Sequence, residues 1–220
     1  LKAKDNASKT TLFRLIFMNG KQAACFWIDF RKMPWMEPSC AKNAHDSKGH
    51  KADLEKMFPI TGMAVLFQHN PLLFKRFYLF PQKKTKLQLS LPDRIPDLFG
   101  QIPVKRLFSA LHDYIRGFQV VPPWDIFSLD DFTPLQCRVL RTLCEVPFGS
   151  TVTYERLAEM AGICRGARFA GNVLSKNPFP LIIPCHRVIR KDGKTGGFSA
   201  GPGLKKKLIE FEKKVSASCN

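Results

Sequence analysis

The hydrophobic positions along this chain change their period part-way, and the change divides it. Up to about residue 91 the apolar residues come in short runs of strand length. Residues 12–17 and 23–28 flank Asn19-Gly20. Asn-Gly accepts the positive φ angles of a type I′ turn, so residues 11–28 read as a β-hairpin. Residues 63–67, 74–80 and 87–91 are further strand-like runs, some of which complete a small antiparallel sheet. Between them, residues 31–56 have no period, contain Pro34 and Pro38, and are rich in His, Lys and Asp. They read as a long loop or insertion.

From residue 104 to 118 the step lengthens. Leu107, Leu111, Ile115 and Phe118 recur three and four residues apart, which predicts an amphipathic helix with Gly117 near its end. Val121-Pro122-Pro123-Trp124 reads as a surface linker. A boundary near residues 119–130 gives an N-terminal α/β domain over 1–120 and a mainly α C-terminal domain over 121–220.

In the C-terminal part, Thr133 is an N-cap and Pro134 the first helical residue. The apolar face runs Leu135, Val139, Leu140, Leu143 to Val146, and Pro147-Phe148-Gly149 ends it. Thr153 caps a short helix over 154–161, with Leu157, Ala158 and Ala161 inward and Gly162 as the stop. A second helix covers 166–175. Two short helices joined by a tight glycine-containing turn fit a helix-turn-helix; a plain helical hairpin packed in a core is the ordinary alternative. Arg165, Arg168 and Lys176 mark the second helix as the candidate recognition helix. A last helix over 204–215 turns Leu204, Leu208 and Phe211 inward and Lys205-Lys206-Lys207 outward.

Charge changes the picture. The formal net charge is +17, which favours a polyanionic partner, nucleic acid above all. At 45% hydrophobic residues the chain can build a core. It has no apolar run of membrane-spanning length and no signal-peptide core, so an intracellular protein is expected. Seven cysteines at irregular spacing argue for reduced thiols rather than a disulfide framework. Cys40, His45 and His50 do not have the spacing of a common zinc site.

One apolar stretch carries chemistry. Ile182-Ile183-Pro184-Cys185-His186-Arg187-Val188-Ile189 reads as a buried strand or extended segment holding a thiol beside an imidazole. A cysteine is nucleophilic as thiolate, so it needs a lowered pKa or a nearby base. On an extended segment, neighbours point to opposite faces, so Cys185 and His186 meet only through a local kink or a bridging water. Glu212 on the last helix is an acid able to orient an imidazole, and Asn177, beside Pro178, is able to fix the reactive segment. Each has an ordinary alternative: Glu212 a surface charge, Asn177 a helix C-cap, Tyr154 a half-buried core residue. Residues 191–203 form a glycine-rich loop without nucleotide-fingerprint spacing, better suited to close backbone approach to a flat ligand.

The stretch from Ile183 to Ile189 resembles the active-site signature of O6-alkylguanine-DNA alkyltransferases. Thr133-Pro134-Leu135-Gln136, Pro147-Phe148-Gly149, Thr153-Tyr154-Glu155-Arg156-Leu157-Ala158, Ala167-Arg168, Asn177-Pro178-x-Pro180, the Gly-Phe-Ser-Ala-Gly loop and Glu212 match the family's spacing over about residues 119–215. The resemblance implies a ribonuclease H-like N-terminal domain and a winged-helix-like helix-turn-helix. It implies DNA repair by direct reversal: irreversible, single-turnover transfer of the alkyl group from O6-alkylguanine, and O4-alkylthymine, to Cys185. Catalytic roles would fall to Cys185, His186, Glu212, Tyr154 and Asn177. His186, Glu212 and a water would deprotonate the thiol, and Tyr154 would protonate guanine N3. Val188, Ser199, Phe198 and Pro180 would bind the base, Phe198 standing where the family often has Tyr. Arg168, Tyr154 and Lys191 would bind DNA, with Arg168 replacing the flipped base from the minor groove. The implied protein acts without a cofactor, on double-stranded DNA, as a monomer, in a nucleus or a bacterial cytoplasm. Cys25, Cys40, His45, His50, His69 and His112 do not match the zinc site of some animal relatives, so no zinc is expected. Two rivals remain: a Cys-His-Glu hydrolase, and a non-catalytic helix-turn-helix or lesion-sensing protein, against which Cys185 itself argues.

Overall fold

The computed structural model describes residues 23–30, 57–68, 71–81 and 101–218. The predicted first hairpin strand, the insertion at 31–56 and the run at 87–91 lie outside these residues. Three strands, β1 (Ala23–Asp29), β2 (Ile60–Gln68) and β3 (Leu73–Pro81), form an antiparallel sheet in the order β1-β2-β3. The runs at 23–28, 63–67 and 74–80 fall inside them. Met63, Ala64, Val65 and Phe67 of β2 are buried; the large side chains Met63, Val65 and Phe67 stand two apart, on one face of the strand. An irregularity between Leu66 and Phe67 brings Phe67 opposite Phe74, and both rings are buried.

Helix α1 (Ile102–Ile115) carries Pro103 in its first turn, where a missing N–H costs nothing. It buries Val104, Leu107, Ala110, Leu111, Tyr114 and Ile115. The predicted helix ran on to Phe118; it stops at Ile115 instead. Gly117 turns the chain at φ +86°, and a Cβ there would lie 2.5 Å from Val215 Cγ1. The turn swings Phe118 off the apolar stripe, leaving it 53% exposed.

Helix α2 (Pro134–Leu143) starts with a capping box. Thr133 Oγ1 accepts from Gln136 N–H, and Gln136 Oε1 accepts from Thr133 N–H at 2.9 Å. The expected inward Leu135 is exposed because it sits in the first turn, before the helix meets the core; the buried stripe begins at Val139. The short strand β4 (Val152–Thr153) leads into α3 (Tyr154–Met160), whose first turn is capped by Thr153 accepting from Arg156 N–H at 3.1 Å. Helix α4 (Ala167–Ser175) follows. The turn between them uses Gly162 at φ +70° and Arg165 at φ 53°. A Cβ on Gly166 would lie 3.0 Å from that of Ala158, so small residues permit this tight crossing. Strand β5 (Val188–Ile189) pairs parallel with β4, and α5 (Pro202–Ser218) closes the fold.

The sheet and the helices share one cluster of buried apolar residues. β3 is also tied to the loop ahead of the reactive cysteine. Phe77 N–H donates to Pro178 O at 2.8 Å, and Ser128 N–H donates to Phe74 O at 2.9 Å. Phe179 of that loop stacks on Phe127 at 4.2 Å and meets Phe77 edge-on at 5.1 Å.

Candidate active site

The segment from Ile182 to Val188 is buried throughout, but it is not the continuous strand expected. Cys185–Arg187 form a 3-10 turn, and only Val188–Ile189 is strand. Pro184 sits at φ −83°, ψ 62°, outside the extended range. Cys185 N–H donates to Ile183 O at 2.8 Å and Arg187 N–H to Pro184 O at 2.9 Å. The alternation of a strand is therefore lost, and His186 and Arg187 both reach Glu212 on α5.

Asn177 staples this turn to the end of α4. Its Nδ2 donates to Ile183 O at 2.9 Å, and its Oδ1 accepts from Phe179 N–H at 3.1 Å. The loop it closes holds Leu181 at φ 77°. Burial pushes the Cys185 thiol above its ordinary pKa, against the Asn177 hydrogen bond and the charge of Lys205. The resting sulfur is thus a protonated thiol that needs a base.

That base is at hand in a buried polar cluster. Glu212 Oε1 is 2.6 Å from His186 Nε2 and accepts from the Tyr114 hydroxyl at 2.9 Å. Arg187 Nε donates to Glu212 Oε2 at 2.9 Å, and Gly149 N–H donates to the same oxygen at 3.0 Å. Arg187 Nη1 donates to Val146 O at 2.6 Å and to Gln119 Oε1 at 3.2 Å. Burial alone would raise the Glu212 carboxyl; His186 and the Arg187 guanidinium outweigh it and hold it down at about 2. Burial pushes His186 below the ordinary histidine value, against the pull of Glu212. The ring is accordingly neutral at rest, and Arg187 keeps Glu212 ionised. His186 Nδ1 is buried and has no hydrogen-bond partner among the described residues.

A second pair stands nearby. Lys205 Nζ lies 3.5 Å from the Tyr154 hydroxyl and 5.6 Å from the centre of its ring. Lys205 was expected to point outward with Lys206 and Lys207; those two are exposed, but Lys205 is only 1% exposed. It shares the stripe of Leu208 and Glu212, three and seven residues on, which faces the core. Burial lowers its pKa and raises that of Tyr154. Tyr154 is half-buried, and Gly196 lies against its hydroxyl: a Cβ there would be 3.2 Å away.

The remaining expected residues are distributed around these groups. Val188 and Pro180 are buried, Phe198 is half-buried against the core, and Ser199 is exposed. Arg168 is exposed on α4, and Lys191 is exposed beside Glu155 at the start of α3, 3.7 Å from its carboxylate. Sequence reasoning gave no role to Tyr114, Gln119, Gly149, Arg187 and Lys205, although Gly149 and Arg187 stand within the family motifs. For Tyr114 the signal was present, because it follows Leu111 by three residues on the inward stripe of α1. Among the described residues no group of His, Cys, Asp or Glu is placed to hold a metal, and no helix is long and apolar enough to cross a membrane. Cys40, His45, His50 and His69 lie outside them.

Comparison with known proteins agrees with this geometry. The profile of "6-O-methylguanine DNA methyltransferase, DNA binding domain" matches residues 134–214. A methylated-DNA–protein-cysteine methyltransferase of Methanothermobacter thermautotrophicus is 42% identical over 109 residues, 50% of this chain and 61% of that protein. A relative from Acanthamoeba polyphaga mimivirus, named as a probable enzyme of the same kind, is 38% identical over 116 residues, 51% of this chain and 74% of its own length. The chain belongs to the methylated-DNA–protein-cysteine methyltransferase family. The solved structure of Mycobacterium tuberculosis OGT in complex with DNA is similar in fold, with a TM-score of 0.51 and 26% identity; the match covers 71% of this chain and 89% of that one. Within the methyltransferase family profile fall Cys185, His186, Arg187, Glu212, Tyr154, Lys205 and Asn177. Tyr114 and Gln119 lie before the profile-matched span.

Proposed function

We propose that this chain repairs alkylated DNA by taking the alkyl group of O6-alkylguanine, and of O4-alkylthymine, irreversibly onto Cys185. The observation that carries this reading is the His186–Glu212 bond of 2.6 Å. It occupies Nε2 and leaves Nδ1, the other ring nitrogen, without a partner among the described residues, on the residue that follows the buried Cys185. The thiol proton passes to Nδ1 through a water, and Glu212 stabilises the imidazolium. Sulfur then attacks the O6-alkyl carbon in line. The S–C bond forms as the C–O6 bond breaks. Tyr154 gives its hydroxyl proton to guanine N3, so the base leaves neutral, and the Lys205 ammonium stabilises the oxygen left behind.

Asn177 and Pro180 keep the reactive turn in place. The backbone of Cys185 and Val188 accepts from the guanine amine, and the Ser199 amide donates to O6. The glycine-rich loop closes on the base with Phe198 packing against it. A base inside a duplex is out of reach of this thiol, so it is flipped out. Helix α4 reads as the recognition helix of a winged-helix-like element, set in the minor groove with Arg168 in the vacated stack. Lys191 and the start of α3 contact phosphates, and the charge of +17 gives salt-dependent, sequence-independent affinity. Residues 1–120 serve as a ribonuclease H-like domain supporting the alkyl-accepting domain of 121–220. The protein works as a monomer, in a nucleus or a bacterial cytoplasm according to its host, and needs no cofactor.

A duplex oligonucleotide containing O6-methylguanine tests this directly. Intact-mass measurement should show one methyl group added per molecule, mapped to Cys185, and none in Cys185→Ser. Continued turnover, or tight DNA binding without transfer, would overturn the reading in favour of a hydrolase or a lesion sensor. Arg168→Ala should slow transfer from duplex by roughly tenfold or more, the order of an unstacking cost, and leave reaction with the free base nearly unchanged. Equal losses on both substrates would refute the role given to Arg168.

A further inference from the structure

We propose that Tyr114 is a positioning residue for the alkyl transfer, supplied by the N-terminal helix to set the proton on His186. This inference rests on the function proposed above. Tyr114 is fully buried, and its ring is held edge-on by Phe58 at 6.2 Å, Phe148 at 5.7 Å and His186 at 6.0 Å. The hydroxyl has no task in packing those rings. It lies 2.9 Å from Glu212 Oε1 and 3.2 Å from His186 Nε2.

Those two distances determine where protons sit. Glu212 is ionised, so it only accepts, and the Tyr114 hydroxyl must donate to it. The lone pairs of the same hydroxyl then face Nε2, as does Glu212 Oε1. Nε2 is met by two acceptors, so it carries the hydrogen in the neutral ring. Nδ1 keeps its lone pair, which is the atom required to take the thiol proton. Tyr114 is held as a neutral phenol by burial and by the adjacent Glu212, so its hydroxyl remains a donor.

The hydroxyl also acts on charge. A donor to the Glu212–His186 pair stabilises its less protonated state. Removing that donor raises the proton affinity of the pair. The charged and titratable groups facing the pair are Arg187 from the same turn, Lys205 from α5, Cys185 and Tyr114 itself. Of these, Tyr114 alone comes from the sheet-bearing half of the chain.

Tyr114→Phe in the full chain is the test, because phenylalanine keeps the ring contacts and deletes only the hydroxyl. Two rates are followed against pH: methyl transfer from duplex O6-methylguanine, and alkylation of Cys185 by iodoacetamide without DNA. The acid limb of both should move up by about one pH unit, the worth of one buried hydrogen bond to a charged group. Transfer near neutrality should fall about tenfold. An unmoved limb with rates within twofold of the parent overturns the proposal. If the parent chain takes no methyl group, the function above fails, while the iodoacetamide profile still decides the role of Tyr114. Nitrogen NMR of the parent labelled in histidine gives a check that needs no variant. His186 should carry its hydrogen on Nε2 near neutral pH, and a hydrogen on Nδ1 in the neutral ring would sink the idea.

Discussion

Arg187→Ala is expected to lower the unfolding free energy by about 3–5 kcal/mol, the usual loss when one partner of a buried ion pair is removed. The guanidinium is 2% exposed, and its Nε donates to Glu212 at 2.9 Å. Its Nη1 satisfies the Val146 carbonyl at 2.6 Å, at the end of the α2 segment, and reaches Gln119 at 3.2 Å. Its plane also lies 5.5 Å from the centre of the Phe148 ring. Alanine would leave a carboxylate in the core without its permanent counter-charge and a carbonyl without a donor. Arg187→Lys should recover little, because a single ammonium cannot serve a carboxylate and a carbonyl on separate segments. Denaturant titration followed by tryptophan fluorescence would measure the change. A loss below about 1 kcal/mol would show that water replaces the guanidinium and that the buried cluster does not brace the fold.

The second large effect is an acid limb of stability. Glu212 is held at about 2 in the folded chain against an ordinary 4.5. For an acid whose folded pKa is depressed, the unfolded state binds the extra proton. The stabilisation is therefore complete above pH 4.5 and lost as pH falls towards 2. That window is worth roughly 3 kcal/mol. His186 adds to the same slope from higher pH. Its folded pKa lies below the ordinary 6.5, so under that pH the unfolded chain takes a proton that the folded chain resists. Glu212→Gln should be less stable than the parent at neutral pH and should lack the Glu212 share of the loss between pH 4.5 and 2, leaving the limb of His186 and of the exposed carboxylates. Parallel acid limbs in parent and variant would contradict this.

Much of the site could be read before any geometry. The thiol beside an imidazole, with Glu212 and Asn177 as candidates to orient them, reads from residue type; the role of Tyr154 comes from the family resemblance, and the helices on either side of Gly162 from caps and period. What could not be read was direction. A strand-like run with Pro184 inside it reads as extended. The 3-10 turn that replaces it depends on the Asn177 staple, which is a contact between loop residues and leaves no period. Lys205 looked like one of three solvated lysines, because charge outweighs position in a sequence reading. Its heptad relation to Glu212 was the better guide. Phe118 and Leu135 were placed on inward stripes although each sits where its helix has ended or barely begun, and helix ends are where periodicity says least. Tyr114 belonged to the correct stripe and passed as core, since a hydroxyl at the end of an aromatic ring announces nothing until its partners are known.

Glu212 gathers its donors from three places along the chain: Tyr114, Gly149 and the adjacent pair His186 and Arg187. None of these segments can present its donor until the others have packed, and Tyr114 arrives only once α1 has docked against the C-terminal helices. A chain caught half-assembled has the cysteine but no relay, and its sulfur is as sluggish as that of any free thiol. The relay thus requires all of these segments to be in place at once. On the single use of Cys185 proposed above, such a requirement would keep the sulfur from being spent on stray electrophiles during synthesis.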